Sequence, residues 1–200
     1  MGMLEEAGGE TMKVVPIGVS GRHIHLQTDH IAALFGEGYE LRKLKQLSQP
    51  YQYAAEEAVR VEGPRGVFPA VRIVGPARPK TQLELSRTDA LALGVQAPIR
   101  ESGRLDGTPG IRLVGPSGVI ELERGVIVAA RHIHFHPNEA AAWGIADKQR
   151  LQVKLNGERP LVFLDVIARV SDRFALDMHI DTDEANAAGV SSGDLAEIIG

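Results

Sequence analysis

The chain has 200 residues, enough for one large domain or two small ones with cores of their own. A hydrophobic share of 44% and a charged share of 24% mark a globular protein, and a net charge of −4 leaves no nucleic-acid footprint. Cysteine is absent, which excludes disulfides, thiolate metal sites and a cysteine nucleophile, and no apolar run reaches the roughly 20 residues of a membrane span.

Residues 1–13 are acidic and Gly-rich, unlike a secretory signal, and read as a disordered lead. A strand is predicted over Val14–Val19, followed by Arg22-His23-Ile24-His25 and a short helix at Thr28–Leu34. The stripe Leu41, Leu44, Leu47 has the spacing of a helix core. Val67–Val74 reads as a strand set between Gly-Pro pairs at 63–64 and 75–76. Ser86–Leu93 reads as a helix, with Ser86 and Asp89 placed as a capping box and Gly94 at the stop. Strands follow at Gly110–Val114, Val119–Leu122 and Gly125–Ala129, with Gly-Pro at 115–116 between the first two. Arg131-His132-Ile133-His134 leads to a helix at Pro137–Trp143, then to strands at Leu151–Leu155 and Leu161–Val170. The last helix is Asp181–Ala188, with Asp181 and Glu184 as its capping box and Gly189 at its end. Many short strands with a few helices give a mainly β fold built from β-barrels.

The sequence repeats itself. Arg22-His23-Ile24-His25 recurs as Arg131-His132-Ile133-His134. Leu83-Glu84-Leu85-Ser86 through Gly94-Val95 matches Met178-His179-Ile180-Asp181 through Gly189-Val190. Two matched blocks in the same order mark a duplication. The halves divide as 14–104 and 105–200, an arrangement that permits them to exchange strands.

Alternate side chains of a strand share a face, so His23 and His25 project together, as do His132 and His134. Two imidazoles so placed form a bidentate metal platform. The repeat supplies the third ligand of each, because Glu84 and His179 occupy equivalent positions, two residues before a helix cap. The expected sets are His23, His25 and Glu84, and His132, His134 and His179. Nitrogen and carboxylate donors suit zinc best, with nickel, cobalt and iron left open. His30 and His136, at helix starts, read as caps or exposed residues. Asp177 has two readings, a carboxylate supporting a histidine and a plain surface charge.

These residues carry a resemblance. Val15-Pro16-Ile17-Gly18-Val19-Ser20-Gly21-Arg22-His23-Ile24-His25-Leu26, Leu47-Ser48-Gln49-Pro50, Gly75-Pro76-Ala77-Arg78, Thr81 to Ala90 and Arg131-His132-Ile133-His134 resemble the PduL-type phosphate propanoyltransferases, the phosphotransacylases of bacterial microcompartments. The resemblance spans Val14 to Gly189. It implies two β-barrel domains carrying short helices, and an active site with two zinc ions. It further implies propanoyl-CoA or a related short acyl-CoA as substrate with phosphate, coenzyme A as product, and a place in propanediol degradation. Shell or cargo proteins of the microcompartment would be partners, with the cytoplasm or the microcompartment lumen as location. Many members carry a longer N-terminal amphipathic helix for packaging. Here only residues 1–13 precede the first strand, so a packaging peptide is read as short or absent.

The expected activity is a zinc-dependent, reversible acyl transfer between coenzyme A and phosphate, by a homodimer. The first set would face the soft coenzyme A sulfur and the second would hold phosphate, since three neutral imidazoles keep the full metal charge whereas Glu84 reduces it. Arg78, six residues before Glu84, is the expected phosphate clamp and catalytic residue. Val19, Ser20 and Gly21 are the expected coenzyme A cradle, joined by Lys45, Arg65, Arg72 and Asn186. Ser20 and Ser102 are formal alternatives for a covalent step, without an evident base. The rival chemistry is a binuclear zinc hydrolase of a thioester or phosphoester.

Overall fold

A computed structural model describes residues 6–7 and 10–200. The lead expected over 1–13 therefore falls partly outside the described residues. The elements in chain order are β1 (Glu6–Ala7), β2 (Glu10–Thr11), β3 (Lys13–Ser20), β4 (His23–His25), α1 (Thr28–Phe35), β5 (Lys43–Gln46), β6 (Tyr53–Glu62), β7 (Val67–Gly75), β8 (Gln82–Glu84), α2 (Arg87–Leu93), β9 (Ile99–Arg100), β10 (Ile111–Val114), β11 (Val119–Leu122), β12 (Val126–Ala129), β13 (His132–Phe135), α3 (Pro137–Trp143), β14 (Arg150–Leu155), β15 (Leu161–Val170), β16 (Asp177–Asp181), α4 (Thr182–Ala188) and β17 (Leu195–Ile198). The fold is mainly β with four short helices, as its many short Val- and Ile-rich runs require.

The chain divides into two units. One comprises the chain up to Ser20, the segment Ser48–Pro50 and Ala130–Gly200. Its strands close a barrel in the order β13-β15-β14-β17-β3-β16. Closure leaves that barrel without sheet edges. On β14, Leu151, Val153 and Leu155 alternate inward, and they meet Val15, Ile17, Ile133, Phe135 and Met178 in one core. The other unit comprises Gly21–Leu47 and Tyr51–Ala129. Its curled nine-stranded sheet runs β11-β10-β6-β7-β4-β8-β12-β9, with β5 on β6. Ile24, Val59, Val61, Ile73, Leu83 and Leu113 form its core.

This division corrects the boundary expected at 104 and 105. Strand β3 comes from the first half of the sequence but pairs with β16 and β17 of the second. Strands β10 to β12 come from the second half but pair with β6 and β8 of the first. Each half thus lends its leading strands to the other's sheet. The duplication records which residues share ancestry, whereas the units record which strand edges pair.

The helix ends follow their sequence signals. Ser86 Oγ accepts from the Asp89 N–H, and Asp181 and Glu184 form a complete capping box. Gly94 and Gly189 take the left-handed conformation at φ 76° and 64°, where a side chain would be strained. His136 caps α3, with Glu139 completing its box. His30 is not a cap: it lies inside α1, and its Nδ1 is 2.7 Å from Thr81 Oγ1. The Leu41, Leu44, Leu47 stripe is not a helix either. Lys43–Gln46 is an edge strand on β6, and Leu44 is 56% exposed. Strand β6 itself escaped prediction, because Ala54-Ala55-Glu56-Glu57-Ala58 has helical composition; packing in the sheet overrides that preference.

The repeat is also physical. Arg22 donates to Asp89 at 2.6 Å and lies 4.1 Å over the Phe68 ring. Arg131 donates to Glu184 at 2.9 Å and lies 4.8 Å over the Phe163 ring. Asp89 and Glu184 both occupy the third position of the helix that follows the third-ligand strand. In both units the arginine beside His-x-His therefore pins the start of that helix. Burial pushes the Glu184 carboxyl above its usual range, and the Asp181 N–H and Arg131 oppose this only in part. A group with a raised folded-state pKa contributes fully below its unfolded value and loses that contribution as pH rises. Denaturant midpoints should therefore show wild type losing ground to Glu184→Gln between pH 4 and pH 7.

Candidate metal centres

Two ladders bring the ligands together. Antiparallel β4 and β8 set His23 opposite Glu84 and His25 opposite Gln82. Antiparallel β13 and β16 set His132 opposite His179 and His134 opposite Asp177. Strand alternation places the four side chains of each ladder on one face. Within each expected triad the ligand atoms lie within 4.8 Å of one another. Zinc takes such donors at about 2.0–2.1 Å, so each triad is gathered on the scale of a single ion.

In the first triad, His23 Nδ1 lies 2.9 Å from the Gly21 carbonyl and His25 Nδ1 lies 3.0 Å from the Val74 carbonyl. A carbonyl only accepts, so both rings carry their proton on Nδ1 and turn a lone pair out from Nε2. Those Nε2 atoms stand 3.7 Å from the two Glu84 oxygens. Burial, followed by nearby Arg78 and His23, pushes His25 down to about 3, with Glu84 and the Val74 carbonyl opposing. His25 therefore remains a neutral donor in ordinary buffers. Gln82 Nε2 donates to Glu84 Oε1 at 2.5 Å and to Ser102 Oγ at 2.8 Å, and the Gly103 N–H holds Gln82 Oε1 at 2.7 Å. Arg78 Nη1 donates to Ser102 Oγ at 3.1 Å. Arg78 is thereby fixed beside this triad.

In the second triad, His132 Nδ1 is 2.8 Å from the Ala130 carbonyl, which again leaves Nε2 as the donor atom. The rings of His132, His134 and His179 stand 4.6–5.1 Å apart, with Phe174 packed 4.2 Å from His134. Asp177 is buried and accepts from His179 Nε2 at 3.1 Å and from the Ser48 hydroxyl. It is a support for a histidine, not a surface charge. This weakens the expected charge contrast, because a carboxylate serves the second set as well as the first. His25 is buried in the first triad and both His132 and His134 in the second, while Glu84 and His179 keep some exposure.

The other expected residues are placed unevenly. The Val19 N–H donates to Ser192 Oγ at 3.0 Å, Ser20 ends β3, and Gly21 orients His23. Arg72 pairs in register with His23, and its guanidinium donates to the carbonyls of Ala55 and Glu56. Lys45 is exposed on β5, and Asn186 is exposed on α4. Arg65 is not brought to the histidines. It lies in the turn before β7 against Leu93 and Gly94, and Val67 alone is about 17 Å along the strand from Arg72 at roughly 3.3 Å per residue. Gln82 was missed by sequence reasoning and Ser48 was given no role, although both stand in quoted motifs. Ser102 was considered only as a nucleophile. Arg173, six residues before His179, matches Arg78 before Glu84 and was also overlooked.

A mainly β fold of two units, each carrying a triad that could hold a metal ion, defines the class of scaffold. The family model described as phosphate propanoyltransferase matches residues 16–191. The chain is 53% identical to the phosphate propanoyltransferase of Thermotoga maritima over 92% of this chain and 88% of that protein. It is 49% identical to that of Sebaldella termitidis over 98% and 91%, and 52% identical to that of Enterococcus faecalis over 87% and 82%. The chain belongs to the phosphate propanoyltransferase family, a family of acyltransferases. No helix among the described residues is long and apolar enough to cross a membrane.

The donor sets fit zinc, and removal of a ligand should be local. Purified protein should carry about two equivalents of zinc, and His132→Ala should carry about one while keeping its circular dichroism spectrum. A folded variant that still holds two equivalents would exclude His132 as a ligand.

Proposed function

We propose that the protein catalyses reversible acyl transfer between coenzyme A and phosphate. It converts propanoyl-CoA or a related short acyl-CoA with phosphate into acyl phosphate and coenzyme A. The observation that carries this reading is the pair of ligand triads, set in register by matching ladders, on the fold of a phosphate acyltransferase family.

In the reaction a phosphate oxygen attacks the thioester carbonyl carbon. The new C–O bond forms as the C–S bond breaks, and the sulfur leaves as thiolate. When bound, zinc at His23, His25 and Glu84 supplies a soft acid for that sulfur, and zinc at His132, His134 and His179 supplies positive charge for phosphate oxygens. The protein's own contribution is orientation. The Gly21, Val74 and Ala130 carbonyls fix three imidazole tautomers in advance, so no ring reorganises as charge develops. Arg78, braced on Ser102, offers a planar guanidinium to phosphate and to the negative charge gathering on the reacting oxygens. Ser102 accepts from Arg78 and Gln82 and faces Glu84 at 3.4 Å, which suits a brace better than a nucleophile. Direct transfer without an acyl-enzyme is the simpler course in a chain that has no cysteine.

Coenzyme A would run past Val19–Gly21 with Lys45, Arg72 and Asn186 as polar contacts; Arg65 is the least favoured member by its placement. A homodimer, the common state of soluble enzymes, in a reducing cytoplasm belongs to the same proposal, and a microcompartment lumen with shell or cargo partners rests on the resemblance.

Thioester cleavage should rise with added phosphate, yielding free coenzyme A and acyl phosphate in equal amounts. Cleavage at full rate without phosphate would instead mark a hydrolase. Arg78→Ala should lower kcat/KM for phosphate by about 10²-fold or more, and Arg78→Lys should recover only part of that loss.

A further inference from the structure

Each ladder has four corners, and the metal reading uses three. The fourth is Gln82 in one unit and Asp177 in the other, each opposite the second histidine of its pair. Both are buried, at 2% and 3% exposure, which is costly for polar side chains unless their hydrogen bonds are made. Both bond to the third ligand two residues along the same strand. The polarity of the two contacts is opposite. Glu84 is an acceptor, and Gln82 gives it an amide N–H at 2.5 Å. His179 has an N–H to give, and Asp177 gives it a carboxylate oxygen at 3.1 Å.

Each fourth corner is itself held by a serine. Ser102 accepts from Gln82 at 2.8 Å, and the Gly103 N–H fixes the other end of that amide at 2.7 Å. Ser48 donates to Asp177. Ser48 belongs to the Leu47-Ser48-Gln49-Pro50 motif, which has no part in the triads. The structure gives this motif a place. Ser48–Pro50 is part of the barrel unit although Leu47 and Tyr51 on either side are not. Gln49, 1% exposed, donates to the Ala175 carbonyl at 2.9 Å and accepts from the Ala175 N–H at 3.3 Å. The segment is thus strapped to the chain just ahead of β16. Gly18 completes the arrangement. It pairs with His179, and a Cβ there would stand 3.0 Å from Asp177 Oδ2, so the absent side chain leaves room for the carboxylate.

We infer that Gln82 and Asp177 are positioning residues for the third metal ligands, each matched in polarity to the ligand it holds, and that Ser48-Gln49 is the strap that sets Asp177. This rests on the two-metal reading above. The physical reason is tautomer and rotamer control. A carboxylate ligand without a donor at its side, or an imidazole without an acceptor at its N–H, is free to rotate away from the other two donors. The same sequence position therefore carries an amide in the copy whose ligand is Glu84 and a carboxylate in the copy whose ligand is His179.

The test is zinc competition with a chromophoric chelator on the full chain, read beside the melting temperature of the metal-free protein. Wild type should show two tight equivalents. Gln82→Met should weaken one of them by roughly 10–100-fold, and Asp177→Ala should weaken the other by a similar factor. Asp177→Asn, which keeps an acceptor oxygen in the same space, should recover part of that loss. Ser48→Ala should weaken the same equivalent as Asp177→Ala, to a smaller extent. A merely structural role would lower the metal-free melting temperature and leave the zinc affinities of the folded variants unchanged, which would overturn the proposal. Wild type that binds no zinc would overturn the metal reading itself, and this inference with it.

Discussion

Cross-strand register is the constraint on which both centres depend. A histidine pair two residues apart is only half a site. It becomes a triad because an antiparallel neighbour places Glu84 opposite His23, and His179 opposite His132. A slip of one residue would turn the third ligand to the other face of the sheet. The devices around each ladder hold that register. Capped helices begin directly after the third-ligand strands, and the Arg22–Asp89 and Arg131–Glu184 pairs tie the histidine strands to the starts of those helices. The stacked rings of Phe68 and Phe163 cover the arginines in the same way in both copies.

Upon this shared frame the two centres differ in chemistry. One has a carboxylate in its candidate ligand set and an amide behind it. The other has three imidazoles and a carboxylate behind one of them. A carboxylate therefore stands in both, once in the candidate ligand set and once as a hydrogen-bond acceptor for one of its members. That arrangement makes the second centre softer in donor type without leaving it fully uncompensated. His25, held neutral by burial and by Arg78, keeps its own lone pair available well below neutral pH.

Much of this was legible in the sequence because the relevant signals are local. Strand alternation, capping boxes with terminal glycines, and the tandem Arg-His-Ile-His blocks are read from spacing alone, and the alignment of Glu84 with His179 is realised as ladder register. What was not legible is long-range. Strand exchange depends on which edges meet, so β3 could not be assigned to the later barrel from its own residues. Strand β6 carries the composition of a helix and is a strand because of its neighbours. Gln82, Ser102 and Ser48 gave no signal of their own, because the partner that gives each its role is fixed only by folding. Asp177 showed this ambiguity directly: a carboxylate two residues before a histidine supports it only if it is buried.

The central claim is that two zinc ions are held, one by each ladder triad. Anomalous diffraction from crystals of the zinc-loaded protein, recorded above and below the zinc absorption edge, tests it most directly. Two edge-dependent peaks are predicted, one bounded by His23, His25 and Glu84 and one by His132, His134 and His179. A map with no such peak at either triad, or with zinc bound only to other side chains, would contradict the account.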